Sequence, residues 1–424
     1  MLKKVLNSAT KLALVTTLSL SCSVFAAQST LPTQESVYAV MDKVGTWQWS
    51  KFDPKSAEFK GYAELPHMAD NSGDSHPQGW VYAAFYAGMT RWAELAQQQE
   101  KTDYYSNLKA IAEQSRYSFG PRIYNADDYA IGQFYLDLYA KYQDPAMLSS
   151  LRAIFDVVLN SPSTNSLQYE RISSESMQTG KKIVDEYAGR HFMHVPCKMR
   201  WCWADALFMG PPVWFGLAKA TGDQRYAEFA DKEFWATVDL LWDDKDQLFF
   251  RDSRFFDKRE KNGEKVIWAR GVGWVAAGLA RILEVLPADH AKRPQYEDIF
   301  KKLMTRLAGA QQSDGFWRPS VLAPESQPYK ESSGTALIAY AFIAGINQGV
   351  LEEEQFLPVA NKAWLALESV IQPDGKMGWV QQIAAKPFAV SKDDTQLYAV
   401  GAFFLAGTEY HKYLGSLASA KKSK

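Results

Sequence analysis

The stretch ARGVGWVAAGLARIL at residues 269–283 opens on a polar head, passes through glycines and then runs apolar on nearly every side. A helix of that kind has no face for water and must be buried. Five other segments repeat the design: HPQGWVYAAFYAGM from His76, ADDYAIGQFYLDLY from Ala126, WADALFMGPPVWFGLA from Trp203, ESSGTALIAYAFIAGI from Glu331 and DDTQLYAVGAFFLAG from Asp393. Their heads recur at roughly 50 to 80 residues, a spacing within or somewhat above that of repeated helical units. Between them lie residues 35–49, 104–117, 145–159, 223–241, 294–307 and 353–370, where apolar side chains return every third or fourth position. That period marks helices buried on one side only.

Six buried helices alternating with six half-exposed ones predict an inner ring inside an outer ring, an all-α (α/α)6 barrel. An open solenoid of the same hairpins would need polar capping repeats at both ends, and no terminal repeat has that character. No Ser/Gly/Pro-rich linker interrupts residues 27–424, which are read as one catalytic domain. Turn-rich inserts at 161–200 and 249–265 precede inner helices and are expected at the rim. The small, basic tail after Gly415 is expected to fray. At the other end, Lys3, Lys4 and Lys11, an apolar stretch at 12–20 and Val24-Phe25-Ala26 read as a signal peptide over residues 1–26. The mature chain is therefore expected to be exported, periplasmic or secreted, without a membrane span, since no later apolar run reaches the ~18–20 residues that a span requires. It retains Cys197 and Cys202, which such a compartment permits to pair. The expected assembly is a monomer or weak homodimer.

Composition narrows the function. With 47 basic against 48 acidic side chains, the chain lacks the cationic surplus that nucleic acid requires. Its 14 Trp, 21 Tyr and 23 Phe are enough to fill a large core and also to line a cleft that stacks on sugar faces. If the inner helices run parallel, their heads gather at one mouth. There stand His76 and Gln78; Asp127 and Asp128; Trp203 and Asp205; Arg270; Glu331, Ser332 and Ser333; and Asp393, Asp394 and Thr395. Asp, Ser and Thr at such places commonly cap helices. Arg270 does not fit that role, because a cation at a helix N-terminus opposes the dipole and needs a carboxylate to hold. The carboxylate could be Asp127, Asp128 or that of a sugar acid drawn to the helix N-termini. Trp80, Trp203, Trp268 and Trp274 stand at or near the same heads, a carbohydrate cleft signature. Histidines are scattered, and no zinc, nucleotide or GxSxG motif is present. Neither metal nor cofactor is expected.

Together, WADALFMGPPVWFGLAKATGD, RGVGWVAAGLARILEVLP, ESSGTALIAYAFIAGINQG and DGKMGWVQQI resemble the glycoside hydrolase family 105 unsaturated rhamnogalacturonyl hydrolases, relatives of the family 88 unsaturated glucuronyl hydrolases. The resemblance runs from about Glu35 to Tyr413 and implies an (α/α)6 barrel. It implies a hydrolase that removes a 4,5-unsaturated uronic acid from the non-reducing end of lyase-generated oligosaccharides by hydrating C4=C5. On this resemblance Asp205 is the general acid/base and Asp127 the second acid, with Asp128 its competitor. Arg270 and Trp274 match substrate contacts, His194 matches a polar active-site position, and Trp80 and Trp203 complete the aromatic mouth. Two departures touch substrate contacts: Val272 stands where many members have Asn, and Arg251 where His is common. The resemblance places unsaturated galacturonyl-rhamnose first as substrate, with unsaturated glucuronyl oligosaccharides of ulvan or glycosaminoglycan type behind it. The rival activities are a sugar epimerase, which would want paired histidines, and a non-catalytic oligosaccharide-binding protein, which would have no need of Asp205.

Overall fold

The computed structural model describes residues 31–53, 55, 58–59, 77–99, 103–169 and 195–422. The compact unit begins at Pro32. Outer and inner helices alternate along it: α1 (Gln34–Trp49, outer), α2 (Trp80–Gln98, inner), α3 (Tyr104–Gln114, outer), α4 and α5 (Ala126–Tyr129 and Ile131–Tyr142, inner), α6 (Ala146–Asn160, outer), α7 and α8 (Ala206–Met209 and Pro211–Thr221, inner), α9 (Gln224–Leu241, outer), α10 (Ala269–Val285, inner), α11 (Arg293–Ala310, outer), α12 (Ser332–Asn347, inner), α13 (Glu353–Glu368, outer) and α14 (Leu397–Lys422, inner).

The inner helices close on themselves. α2 packs on α5, α5 on α8, α7 and α8 on α10, α10 on α12, α12 on α14, and α14 returns to α2. Each outer helix covers an inner one: α3 on α2, α6 on α5, α9 on α8, α11 on α10, α13 on α12 and α1 on α14. The (α/α)6 barrel is thus formed as the apolar pattern requires. α12 buries every residue from Ser332 to Ile346, whereas α9 buries one stripe that includes Tyr226, Ala230, Phe234, Val238 and Leu241. Asp103, Asn125 and Asp223 start α3, α4 and α9 by accepting backbone N–H bonds. Pro211, lacking an N–H, opens α8 and separates it from α7. Two short antiparallel hairpins complete the regular structure, β1–β2 (Phe52–Asp53 with Glu58–Phe59) and β3–β4 (Trp242–Asp243 with Leu248–Phe249).

The ring is tight because small residues face small residues. A Cβ on Gly88 of α2 would lie 1.9 Å from the carbonyl oxygen of Gly401 on α14, and one on Gly401 would lie 2.1 Å from that of Ala84. These backbones touch, so no side chain fits between them.

Two expectations change. The last inner helix starts at Leu397, with Asp393 and Asp394 in the turn before it, and it continues to Lys422 instead of fraying after Gly415. The tail keeps helical spacing, and the half-buried Leu417 still packs on the core. Cys197 and Cys202 are joined as a disulfide. Among the described residues no helix is long and apolar enough to cross a membrane. The signal peptide expected over residues 1–26 lies outside the described residues.

The glycine contact is testable. Gly88→Ala should destabilise by roughly 3 kcal/mol or prevent folding, because overpacking here meets backbone. Gly309→Ala, at an exposed site in α11 with nothing within 4 Å of an added Cβ, should stabilise by about 0.5–1 kcal/mol. Chemical denaturation of both variants checks the contrast.

Candidate active site

Asp205 stands where α7 begins, but its own backbone is already helical (φ −60°), and its side chain makes no capping bond. The residue is 9% exposed. The Ala204 N–H donates to the Arg251 carbonyl oxygen at 2.8 Å, which pins the segment after β4 to the Asp205 turn. Arg251 Nε then lies 3.3 Å from Asp205 Oδ2. The pair is misaligned for a hydrogen bond, so both atoms are without one among the described residues.

Arg251 is held from its other side. Its Nη1 donates to Asp252 at 2.7 Å, and Arg254 adds bonds of 2.8 and 2.7 Å to the same carboxylate. The Arg254 guanidinium also lies 3.6 Å above the Tyr169 ring. Burial works to raise Asp252, but the bonds from Arg254 and Arg251 outweigh it and hold the group below the usual carboxylate range. For Asp205 the balance goes the other way. Burial pushes its carboxyl up, the Arg251 and Arg270 guanidiniums pull it down, and nearby Asp252 adds a smaller push upward. Desolvation wins, and the proton is held more tightly than on an ordinary aspartate.

The two candidate second acids separate. Asp128 is committed to Arg122, which reaches it through its backbone N–H at 2.7 Å and through Nε at 3.0 Å. A buried pair of this kind holds the loop before α4 in place. Asp127 is 6% exposed, and its backbone N–H is capped by Asn125 Oδ1 at 2.9 Å. Its helix α4 packs against α7, bringing the Asp127 turn beside that of Asp205.

Arg270 is buried at the head of α10, and neither Asp127 nor Asp128 is its partner. It donates to the carbonyl oxygens of Gln381 at 2.6 Å and Gln382 at 2.9 Å, and to Tyr398 Oη at 3.1 Å. The guanidinium lies 4.4 Å from the Trp268 ring centre. It therefore clamps the 381–382 segment across the mouth and reaches Asp205 through its charge. Glu331, a further buried charge there, caps α12 through the N–H groups of Ser333 (2.9 Å) and Gly334 (2.6 Å) and accepts the Gln381 N–H at 3.2 Å. Its role is capping, the common role for an acid at a helix start.

The four tryptophans stand at the helix heads, all of them buried. Trp80 meets Trp274 edge-on at 6.2 Å and Tyr398 at 5.1 Å, and Trp274 packs on Phe208 at 4.8 Å. Trp203 is buried beneath the Lys198 ammonium. His194 and His76 lie outside the described residues. Sequence reasoning missed Asp252, Arg254 and the Gln381–Gln382 carbonyls. The RDSR run was visible, but nothing in its spacing says that one carboxylate gathers both arginines. Among the described residues no cluster of His, Cys, Asp and Glu offers a metal site.

The profile of glycosyl hydrolase family 88 matches residues 55–414. The chain belongs to glycosyl hydrolase family 88. An unsaturated 3S-rhamnoglycuronyl hydrolase of Alteromonas sp. (strain LOR) is 37% identical over 331 residues, covering 78% of this chain and 76% of that protein. A protein of the same name from Formosa agariphila is 33% identical over 344 residues, 79% of this chain and 85% of that one. A solved family 88 structure from Bacteroides vulgatus superposes with a TM-score of 0.72 at 24% identity, covering 90% of this chain and 100% of that one. As a family 88 member the chain is a glycoside hydrolase of unsaturated uronyl oligosaccharides. The sequence resemblance named family 105 first and family 88 as its relative; the matching profile is that of family 88.

The raised pKa makes a signed prediction. A carboxyl that binds its proton more tightly when folded contributes stability fully below the unfolded value, about 3.9, and that contribution is lost as pH rises through the folded value. Asp205→Asn removes the buried negative charge. It should therefore raise the melting temperature at pH 7, with a gain that shrinks toward zero below about pH 4. Calorimetry at the two pH values checks this, and an equal or larger gain at low pH would contradict the assignment.

Proposed function

We propose that this glycoside hydrolase works by hydrating the C4=C5 bond of a terminal unsaturated uronic acid, with Asp205 as the general acid and then base. Protonated Asp205 delivers its proton to C4, and the enol ether becomes an oxocarbenium ion at C5. The carboxylate left behind takes a proton from water as the water oxygen bonds to C5. One water has then been added and Asp205 is again protonated. The resulting C5 hemiketal opens to a ketone, the exposed C1 hemiacetal collapses to an aldehyde, and the neighbouring sugar leaves with its hydroxyl. One carboxyl serves both proton steps, so no sugar–enzyme bond is required, unlike in a retaining glycosidase.

The observation that carries this reading is the state of Asp205: buried, its pKa raised, and Oδ2 without a hydrogen bond among the described residues. An acid must hold its proton near working pH, and a group already tied in bidentate ion pairs would not. Arg251, with a bare Nε beside that carboxyl, is assigned to the substrate carboxylate. Asp127 is assigned to the water side. Trp80 is assigned to the sugar ring, with the buried Trp274 packed against it and Trp203 buried as a support, and Arg270 fixes the 381–382 segment.

For the substrate we favour an unsaturated uronyl unit on 3-sulfated rhamnose over the unsaturated galacturonyl-rhamnose of rhamnogalacturonan that the sequence resemblance placed first. The support is the name shared by relatives at 37% and 33% identity over more than three quarters of the chain. A finer placement within family 105 rests on ADALFM, RGVGW and ESSG occurring together in that order. The test is a panel of lyase-generated disaccharides, followed by the ultraviolet absorbance of the unsaturated uronate. The unsaturated uronyl-rhamnose sulfated on rhamnose should bleach fastest, and Asp205→Asn should lower kcat by about 10²–10⁴. Bleaching by Asp205→Asn at the wild-type rate would remove Asp205 from the chemistry, and loss of the uronyl unit without bleaching would exclude hydration.

A further inference from the structure

The RDSR run continues outward from Asp205. The Arg251 side chain is 10% exposed, Asp252 is fully buried, and Arg254, on the short 3-10 helix Ser253–Phe255, is 28% exposed. Arg254 is thus the outermost member of the chain of charges that begins at the proposed acid. Its Nε and Nη2 donate side by side to the two oxygens of Asp252, at 2.8 and 2.7 Å. Its Nη1 has no hydrogen-bond partner among the described residues and remains accessible. The guanidinium lies 3.6 Å over the Tyr169 ring, and the Tyr169 N–H donates to Ser253 Oγ at 2.8 Å, which ties that ring to the same turn.

Two guanidiniums share the one Asp252 carboxylate, so the trio keeps a positive charge in excess. Arg251 is assigned to the uronyl carboxylate, and the excess is left at the outer end. Arginine has five N–H donors. Asp252 takes two from Arg254, and the Nη1–Nη2 end keeps a donor on each nitrogen. That end matches two oxygens of a tetrahedral oxyanion, as arginine matches phosphate. Lys198, whose ammonium lies 5.5 Å from the Trp203 ring centre, is another cation at this mouth without a carboxylate partner among the described residues. Its ammonium is a point charge on a flexible stem. Arg254 is fixed at its edge by Asp252 and on its face by Tyr169, so less ordering is left to be done when an anion arrives.

We propose that Arg254, aimed by Asp252 and Tyr169, is a specificity-determining residue that holds a sulfate ester on the sugar next to the unsaturated uronyl unit. This rests on the substrate and reaction proposed above and adds the group that reads the sulfate.

Titration calorimetry on Asp205→Asn, so that the ligand is not consumed, compares the unsaturated uronyl-rhamnose with and without its sulfate. The sulfated ligand should bind at least about tenfold more tightly, and adding Arg254→Gln should weaken it about ten- to hundredfold, as loss of a hydrogen bond to a charged group implies. Arg254→Gln also releases one hold on Asp252, but that loss falls on both ligands, so the ratio of the two affinities isolates the sulfate. Equal affinity for the two disaccharides, no binding of the sulfated one, or a ratio unchanged by Arg254→Gln overturns the proposal. If Arg254→Gln does not fold, Tyr169→Leu decides: a ratio narrowed several-fold supports the contact, and an unchanged ratio overturns it. The reaction is judged separately, by whether the wild type bleaches the sulfated disaccharide. Binding with the expected ratio but without bleaching removes the reaction and keeps the sulfate contact.

Discussion

The proposed active site depends on one competition, between the desolvation of Asp205 and the attraction of two guanidiniums nearby. Arg251 at 3.3 Å would bring down the pKa of a solvated aspartate, as an opposite charge at that distance does. It does less here because its geometry toward Asp205 is poor and because Asp252 holds its Nη1 at 2.7 Å. Asp252 in turn is shared with Arg254. This chain of charges leaves a cation beside the proposed acid without stripping its proton. The same cation is then free to meet charge on the substrate, where preorganised donors contribute most.

The barrel supplies the burial that this competition requires. Touching backbones at Gly88 and Gly401 draw the inner ring tight, and the short helices α4 and α7 place two acids at neighbouring heads. Arg270 and Glu331, both fully or nearly fully buried, act on one segment from two sides: Arg270 holds the carbonyls of Gln381 and Gln382, and Glu331 holds the Gln381 N–H. A charged residue at the head of an inner helix is thereby used to fix a loop over the mouth. That explains the presence of Arg270 at a helix N-terminus, where the dipole alone would disfavour it.

Much of the fold was legible because a barrel of helices is written in local periods. Segments such as 331–346 are apolar all round and 223–241 on one side only, and these two patterns suffice to sort inner from outer helices. The last inner helix was misplaced at both ends, because Asp393 and Asp394 look like a helix start while serving a turn, and a small basic tail carries no strong signal of either kind. The site was legible in part. Asp205 and the tryptophans could be placed at the mouth from their position at helix heads. Asp127 and Asp128 could not be separated, because the partner that takes Asp128 is Arg122, whose approach depends on the path of the loop. The partners of Arg270 were not foreseeable, since backbone carbonyls more than a hundred residues away leave no mark in side-chain pattern.

The measurement that bears most directly on this account is the titration of Asp205 itself, followed by the carbon chemical shift of its carboxyl in isotope-labelled protein and assigned by comparison with Asp205→Asn. The account predicts a midpoint clearly above the ordinary aspartate value of about 3.9, with desolvation prevailing over Arg251 and Arg270. A midpoint at or below that value would mean that the guanidiniums prevail, leaving Asp205 without the proton that the proposed hydration requires.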